Sequence, residues 1–218
     1  MIGRNRSKYT FSDGYAGTTK ETKEWNQRLD STQHILEHIE YFSKEIDTTK
    51  DLYGYVVTGV PVGLLVIEPL RNSNELKPCA LIWYLVTHPG SATAGVILVE
   101  FAANYAESHN LKGAMGLHSL NQDSTKFYQS LGFCEVGKGE GDDGPIMFLA
   151  PQDSNEWTKQ GGVWRVKRYM GQGQYLGGQG TGSNAYRWQN APPIVKIDKS
   201  KRAAKTMMSN VSDWRLPE

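Results

Sequence analysis

The sequence predicts a mixed α/β protein, a single sheet layered by helices. Three observations predict it. Apolar, β-branched runs of strand length recur between residues 52 and 87. A longer helical stretch follows at about 94–109. From Cys79 onward, strand and helix then alternate as β-α-β-α-β. The chain has 218 residues, enough for one well-buried domain plus an extension. Its 22% charged and 39% hydrophobic residues are ordinary for a globular protein. No apolar run approaches the roughly 18 residues a membrane helix needs, so no membrane partner is expected. Arg4, Arg6 and Lys8 precede no apolar stretch, unlike a signal peptide, and the expected location is cytoplasmic, with a secreted effector left open. The two cysteines, Cys79 and Cys134, lack metal-ligand spacing and sit in apolar strand contexts, so buried free thiols are expected.

Residues 1–18 are polar and glycine-containing without a sustained period, and read as an N-terminal arm. A short helix is expected over Thr19–Leu29, and Asp30-Ser31-Thr32 offers a cap for the next. Ile35, Leu36, Ile39, Phe42 and Ile46 recur at helical spacing, an amphipathic helix. His34, Glu37 and His38 on this helix read as an exposed polar face rather than a metal site. Leu52–Thr58 and Val60–Glu68 flank Thr58-Gly59 and read as a hairpin, with Pro61 tolerated near a strand start. Asn72-Ser73-Asn74 turns the chain into Cys79–Thr87, apolar almost throughout and expected to be buried on both faces. A helix over Ala94–His109, a strand at Ala114–Leu120, a helix over Ser124–Ser130 and strands at Cys134–Val136 and Ile146–Ala150 complete the sheet.

The chemistry concentrates between Trp83 and Phe133. A strand runs through His88-Pro89 into a small-residue loop, Gly90–Gly95, and then into a helix. Such a turn offers unpaired backbone N–H groups at a helix N-terminus and lets a phosphate approach the backbone closely. Downstream, Asn121, Ser124, Tyr128 and Leu131-Gly132-Phe133 follow one another at fixed spacing. This series resembles the closing motif of the GNAT superfamily of N-acetyltransferases. Val86 and Pro89 before the loop ending in Gly95 are similar to that family's acyl-CoA pyrophosphate loop.

The resemblance covers about residues 50–150. It implies a GNAT-like, largely antiparallel central sheet flanked by helices, and an acetyl-CoA-dependent N-acetyltransferase acting by direct transfer, with CoA as product. Val86, Gly90, Ser91, Ala92, Thr93, Ala94, Gly95 and Val96 would hold the donor's diphosphate. Asn121, with Ser124, would meet its pantetheine arm, and Tyr128 would protonate the departing thiolate. A phenol of pKa about 10 suits a thiolate of similar basicity. The packing alternative for Tyr128 is a core aromatic between Phe127 and Phe133.

The family often places a carboxylate base on the strand before the loop. Leu81-Ile82-Trp83-Tyr84-Leu85 has none, so Glu68, His88 and His118 are the candidate bases, with water or an already neutral amine as alternatives. Aligned on Gly95, Ala92 stands where the family has Arg or Gln, and Ile97 where it has Gly or Ala. The competing reading is a catalytically degenerate GNAT-like fold that binds or scaffolds.

Charge separates the chain's two parts. Residues 1–150 hold 13 Lys/Arg and 18 Asp/Glu, net −5, while 151–218 hold 11 and 5, net +6. The expected organisation is an arm at 1–18, an acyltransferase domain at 19–150 and a basic extension at 151–218. In that extension Val163–Tyr169 alternates like one strand, 171–184 is Gly/Gln-rich, and Ile194–Ile197 suits an edge strand. Its basic residues and aromatics (Trp164, Arg165, Lys167, Arg168, Tyr169, Arg187, Trp188, Lys199 to Lys205) form a surface open to RNA or protein. The acceptor is an amine-bearing small molecule, protein or aminoacyl-tRNA.

Overall fold

A computed structural model of the chain describes residues 31–36, 49–57, 60–70, 76–88, 91, 93–139, 144–170 and 194–197. Residues 31–36 are helical (α1), with Leu36 and Thr32 buried and His34 exposed. Glu37, His38 and most of the expected amphipathic helix lie outside the described residues, as do the 1–18 arm, Gly90, Ala92, Arg187, Trp188 and Lys199 to Lys205.

The expected Thr19–Leu29 helix lies outside the described residues, and the strands and helices expected between residues 50 and 150 form with shifts of a residue or two at their ends. They are β1 (Asp51–Val57), β2 (Val60–Leu70), β3 (Cys79–Thr87), α2 (Ala94–Ser108), β4 (Met115–His118), α3 (Gln122–Ser130), β5 (Cys134–Gly137) and β6 (Ile146–Leu149). Beyond them lie a hairpin, β7 (Trp157–Gln160) and β8 (Val163–Val166), and a late strand, β9 (Ile194–Lys196). Seven strands make one sheet in the order β5-β6-β4-β3-β2-β1-β9. β3 and β4 run parallel, with Ala80 opposite Met115 and Ile82 opposite Leu117. That pair is joined through α2, as a parallel connection requires. The pairs β4–β6, β5–β6 and β1–β9 are antiparallel. The sheet is thus mixed, largely antiparallel and flanked by helices.

Two compact units divide the chain. One holds the described residues of Met1–Val66, Tyr84–Gly95 and Pro193–Glu218; the other holds those of Ile67–Trp83 and Val96–Pro192. The first is built on Leu36, Leu52, Leu64 and Val86, with Ile35, Val66, Tyr84 and Ile197 packed against them. Its edge is completed by β9, which places Val195 opposite Gly54 and ties Lys196 Nζ to Asp51 Oδ1 at 2.6 Å. A Cβ on Gly54 would stand 2.9 Å from Ile197 Cδ1, the far end of a side chain that would have to turn aside.

In the second unit, α2 is buried along most of its length and turns a polar ladder toward β7–β8. Glu100 Oε1 accepts the Val166 N–H at 2.9 Å, and Asn104 bonds both the N–H and the C=O of Trp164. Glu107 accepts the Trp164 indole N–H at 2.8 Å and pairs with Lys159 at 2.9 Å. Residues spaced at i, i+4 and i+7 share one helix face, so a single stripe of α2 holds the whole hairpin.

Four expectations need correction. Cys134 is exposed, since every residue of β5 is exposed at the sheet's edge. β3 is not buried on both faces, and Trp83 is 41% exposed in its middle. The run from Val163 to Tyr169 is not one strand, because β8 ends at Val166 and a 3₁₀ turn spans Lys167–Tyr169. Trp164 and Arg165 are 8% and 9% exposed, turned onto the Glu107 and Glu100 carboxylates, and are not part of an outward basic surface.

Candidate active site

The loop after β3 belongs to the first unit. Val86 is buried in its core, and the His88 N–H donates to the Val62 carbonyl at 2.9 Å. The turn then closes on itself: the Ser91 N–H donates to the His88 carbonyl at 2.9 Å, and the Ala94 N–H to the Ser91 carbonyl at 3.1 Å. Thr93 is half-buried, Ala94 is fully buried, and α2 begins there. Ser91 is 8% exposed, and its hydroxyl oxygen has no hydrogen-bond partner among the described residues. A buried hydroxyl is rarely left so, because desolvation without a partner costs about 1–3 kcal/mol. Ser91 lies three residues before a helix of 15 residues, whose first-turn N–H groups, apart from the Ala94 N–H held by the Ser91 carbonyl, have no intrahelical partner. Ile97, where the resemblance expects Gly or Ala, is buried at 5% exposure.

His88 is also buried, and desolvation lowers its pKa to about 4. Its ring stays neutral far into the acid range. A conjugate acid that strong is a poor holder of an amine's proton at neutral pH.

The second unit carries the remaining candidates. Asn121 is the N-cap of α3. Its Oδ1 accepts the Ser124 N–H at 2.9 Å, while the Asn121 N–H donates to Ser124 Oγ at 2.9 Å. This is a reciprocal capping box, and it supplies a local reason for the Asn-x-x-Ser spacing. Beneath it Thr125 Oγ1 donates to the Asn121 carbonyl at 3.0 Å and meets Ser119 Oγ at 2.7 Å. Asn121 is exposed, so its amide NH₂ faces outward from a backbone the cap has fixed.

Tyr128 follows two turns on, 7% exposed, its ring edge-on to Phe127 at 5.1 Å and Phe133 at 5.4 Å. Burial pushes the phenol's pKa up, so it stays protonated through the neutral range and is a weaker acid than a free phenol. Leu131-Gly132-Phe133 ends the helix. Gly132 has φ +92°, and a Cβ there would meet Ser154 Oγ at 2.5 Å. The buried Leu131 carbonyl accepts the Trp157 indole N–H at 2.7 Å. The motif's glycine and leucine therefore serve the junction between α3 and β7. Sequence reasoning missed this partner, because Trp157 lies outside the recognised stretch.

Glu68 and His118 complete the set. Glu68 Oε1 accepts the Trp83 indole N–H at 2.8 Å, across β2 and β3. His118 ends β4 and is exposed. Val86, His88, Ser91, Thr93, Ala94 and Gly95 thus fall in one unit, and Glu68, Val96, His118, Asn121, Ser124 and Tyr128 in the other. No three His, Cys, Asp or Glu side chains group as metal ligands among the described residues.

The strand–loop–helix start lies in the first unit, and the capped helix that carries the phenol lies in the second. In the family comparison, the model of the Acetyltransferase (GNAT) family matches residues 18–133, more than half of the chain. The chain belongs to this family of acetyltransferases, whose donor is acetyl-CoA.

Similar solved structures include AtaTR bound with acetyl-CoA (20% identity, TM-score 0.40, 49% of this chain and 70% of that one). Another is the PaiA N-acetyltransferase from Thermoplasma acidophilum in complex with coenzyme A (20%, 0.37, 45% and 60%). A third is the histone acetyltransferase HPA2 and related acetyltransferase from Corynebacterium glutamicum (17%, 0.38, 55% and 74%). The chain spans 60–74% of the length of these three. No curated protein sequence matches it.

Proposed function

We propose that the chain transfers an acetyl group from acetyl-CoA to an amine nitrogen. The observation that carries this reading is the buried Ser91 hydroxyl, without a partner among the described residues, just before the N-terminus of α2. A diphosphate is the group whose acceptor oxygens complete such a site, and the backbone N–H groups of the 90–96 loop other than those of Ser91 and Ala94, which the turn already uses, supply the rest with the helix dipole. These donors do not depend on the side chains at 92 and 97, where the chain departs from its family's usual loop.

The donor supplies an activated acyl thioester. Asn121, oriented by its cap, offers its amide to the pantetheine arm, and Ser124 fixes Asn121. Tyr128, kept neutral by burial, gives its proton to the departing thiolate. The amine's proton passes to His118 or Glu68, directly or through water, because His88 is too weakly basic. Residues 19–150 form the acyltransferase domain on this reading, with 1–18 as an appended arm. The basic 151–218 extension offers outward charge for a protein or RNA acceptor at Lys167 and Arg168, which are exposed. The chain acts in the cytoplasm.

Calorimetric titration with acetyl-CoA at neutral pH tests the reading. Micromolar binding that falls at least about fivefold in Ser91→Ala is expected, the loss of about one hydrogen bond to a charged group. Absence of binding at millimolar donor would leave a scaffolding fold instead.

A further inference from the structure

Ser119 and Thr125 are two hydroxyl side chains closed away from water, and their oxygens stand 2.7 Å apart. Ser119 follows the end of β4, and Thr125 is one of the two buried residues of α3. Both belong to the second unit, with Asn121 between them in the sequence. A fully satisfied buried pair of this kind rigidifies what it holds.

The protons run in one direction. Thr125 Oγ1 donates its only proton to the Asn121 carbonyl at 3.0 Å, so Ser119 is the donor between the two hydroxyls. The Asn121 carbonyl also accepts the Thr125 N–H at 2.9 Å and the Ser124 hydroxyl at 2.8 Å. Three donors therefore fix the oxygen of the residue whose side chain caps α3. Ser119 is itself held from the other side, its N–H donating to the Pro145 carbonyl at 3.1 Å. The chain comes this close because Gly144 lacks a Cβ, which would run into the Ser119 carbonyl. A continuous relay thus leads from the residues before β6, through Ser119 and Thr125, to the backbone of Asn121. The cap alone needs only the reciprocal bonds of Asn121 and Ser124. The relay adds a fixed origin for an exposed amide.

We infer that Ser119 and Thr125 are positioning residues for the donor, holding the Asn121 amide where the pantetheine arm passes; the assignment rests on the acetyl-transfer reading above. Both are buried and act through Asn121.

The test compares two ligands by calorimetry on the full chain. One is acetyl-CoA, and the other is adenosine 3′-phosphate 5′-diphosphate, which carries the diphosphate and no pantetheine arm. Thr125→Val is expected to weaken acetyl-CoA about threefold or more and to leave the nucleotide unchanged. Thr125→Ser, which keeps a hydroxyl, should restore the acetyl-CoA affinity. Ser119→Ala should weaken acetyl-CoA in the same sense but by less. In an Asn121→Ala background Thr125→Val should add nothing, because the two residues act through one contact. A merely structural role would lower both affinities together, as the folded fraction falls. Unchanged acetyl-CoA affinity in Thr125→Val, an equal loss for both ligands, or a loss undiminished in the Asn121→Ala background overturns the assignment. A wild-type chain that binds neither ligand overturns the transfer reading and this assignment together; one that binds both, with Thr125→Val unaltered, overturns this assignment alone.

Discussion

Asn121 and Ser124 bond each other's backbones at the start of α3, so both matter before any ligand arrives. Asn121→Ala should lower unfolding stability by about 1 kcal/mol, read as a shift in urea midpoint, and Ser124→Ala should do nearly the same. An unchanged midpoint for both would mean that the pair serves the donor alone. Tyr128→Phe removes only a hydroxyl from a ring packed between two others, so folding should survive. Turnover should fall by about a hundredfold or more while acetyl-CoA affinity stays within about twofold; unaltered turnover would rule out Tyr128 as the acid. His88 gives a pH signature. Its folded-state pKa lies near 4, below the ordinary 6.5, so between those values the unfolded chain binds more protons than the folded one. The stability it sustains is complete above about pH 6.5 and is lost as pH falls toward 4. His88→Gln should flatten that part of the urea-midpoint profile relative to the wild-type chain.

At the level of elements, the sheet and its two principal helices were legible because each kept its own period and its own stop signals. The Leu-Gly-Phe motif was legible as a motif, but its physical reason was not. Gly132 is required by a positive φ and by Ser154, whose hydroxyl arrives from a later turn. Gly132→Ala should destabilise by about 1–3 kcal/mol in the same denaturation assay, from backbone strain and the clash together.

Of the β7–β8 hairpin, β8 was anticipated within the Val163–Tyr169 run, while β7 escaped the sequence reading for a related reason. Trp157-Thr158-Lys159-Gln160 is short and mostly polar; it pairs with β8, whose Trp164 and Val166 bond the carboxylates and amide of α2 some sixty residues away, and Lys159 itself pairs with Glu107. A Glu at 100 reads as solvent-facing on a helix, yet it is 1% exposed. Cys134 failed in the opposite direction: its apolar neighbours suggested burial, but β5 is an edge strand whose four residues are all exposed.

For the molecule as a whole, the change in composition after residue 150 does not mark the end of the packed body. Residues 157–166 cover the polar stripe of α2, and Trp157 satisfies the buried carbonyl of Leu131. A chain cut at 150 should expose Glu100, Asn104 and the Leu131 carbonyl and lose cooperative unfolding, whereas a cut at 170 should keep the second unit's transition. Cooperative melting of the shorter form by circular dichroism would argue that the hairpin is dispensable. The strand β9 lies still later in the chain yet pairs with β1, near the beginning of the sheet. At synthesis rates of about 5–20 residues per second, β1 waits on the order of ten seconds for that partner. During this interval the strand that will be second from the edge is itself the edge, with backbone donors and acceptors available to any neighbouring nascent chain. The cell's need for chaperone cover on this protein would therefore be set by the arrival of three residues, Ile194 to Lys196, more than by the rest of the sheet.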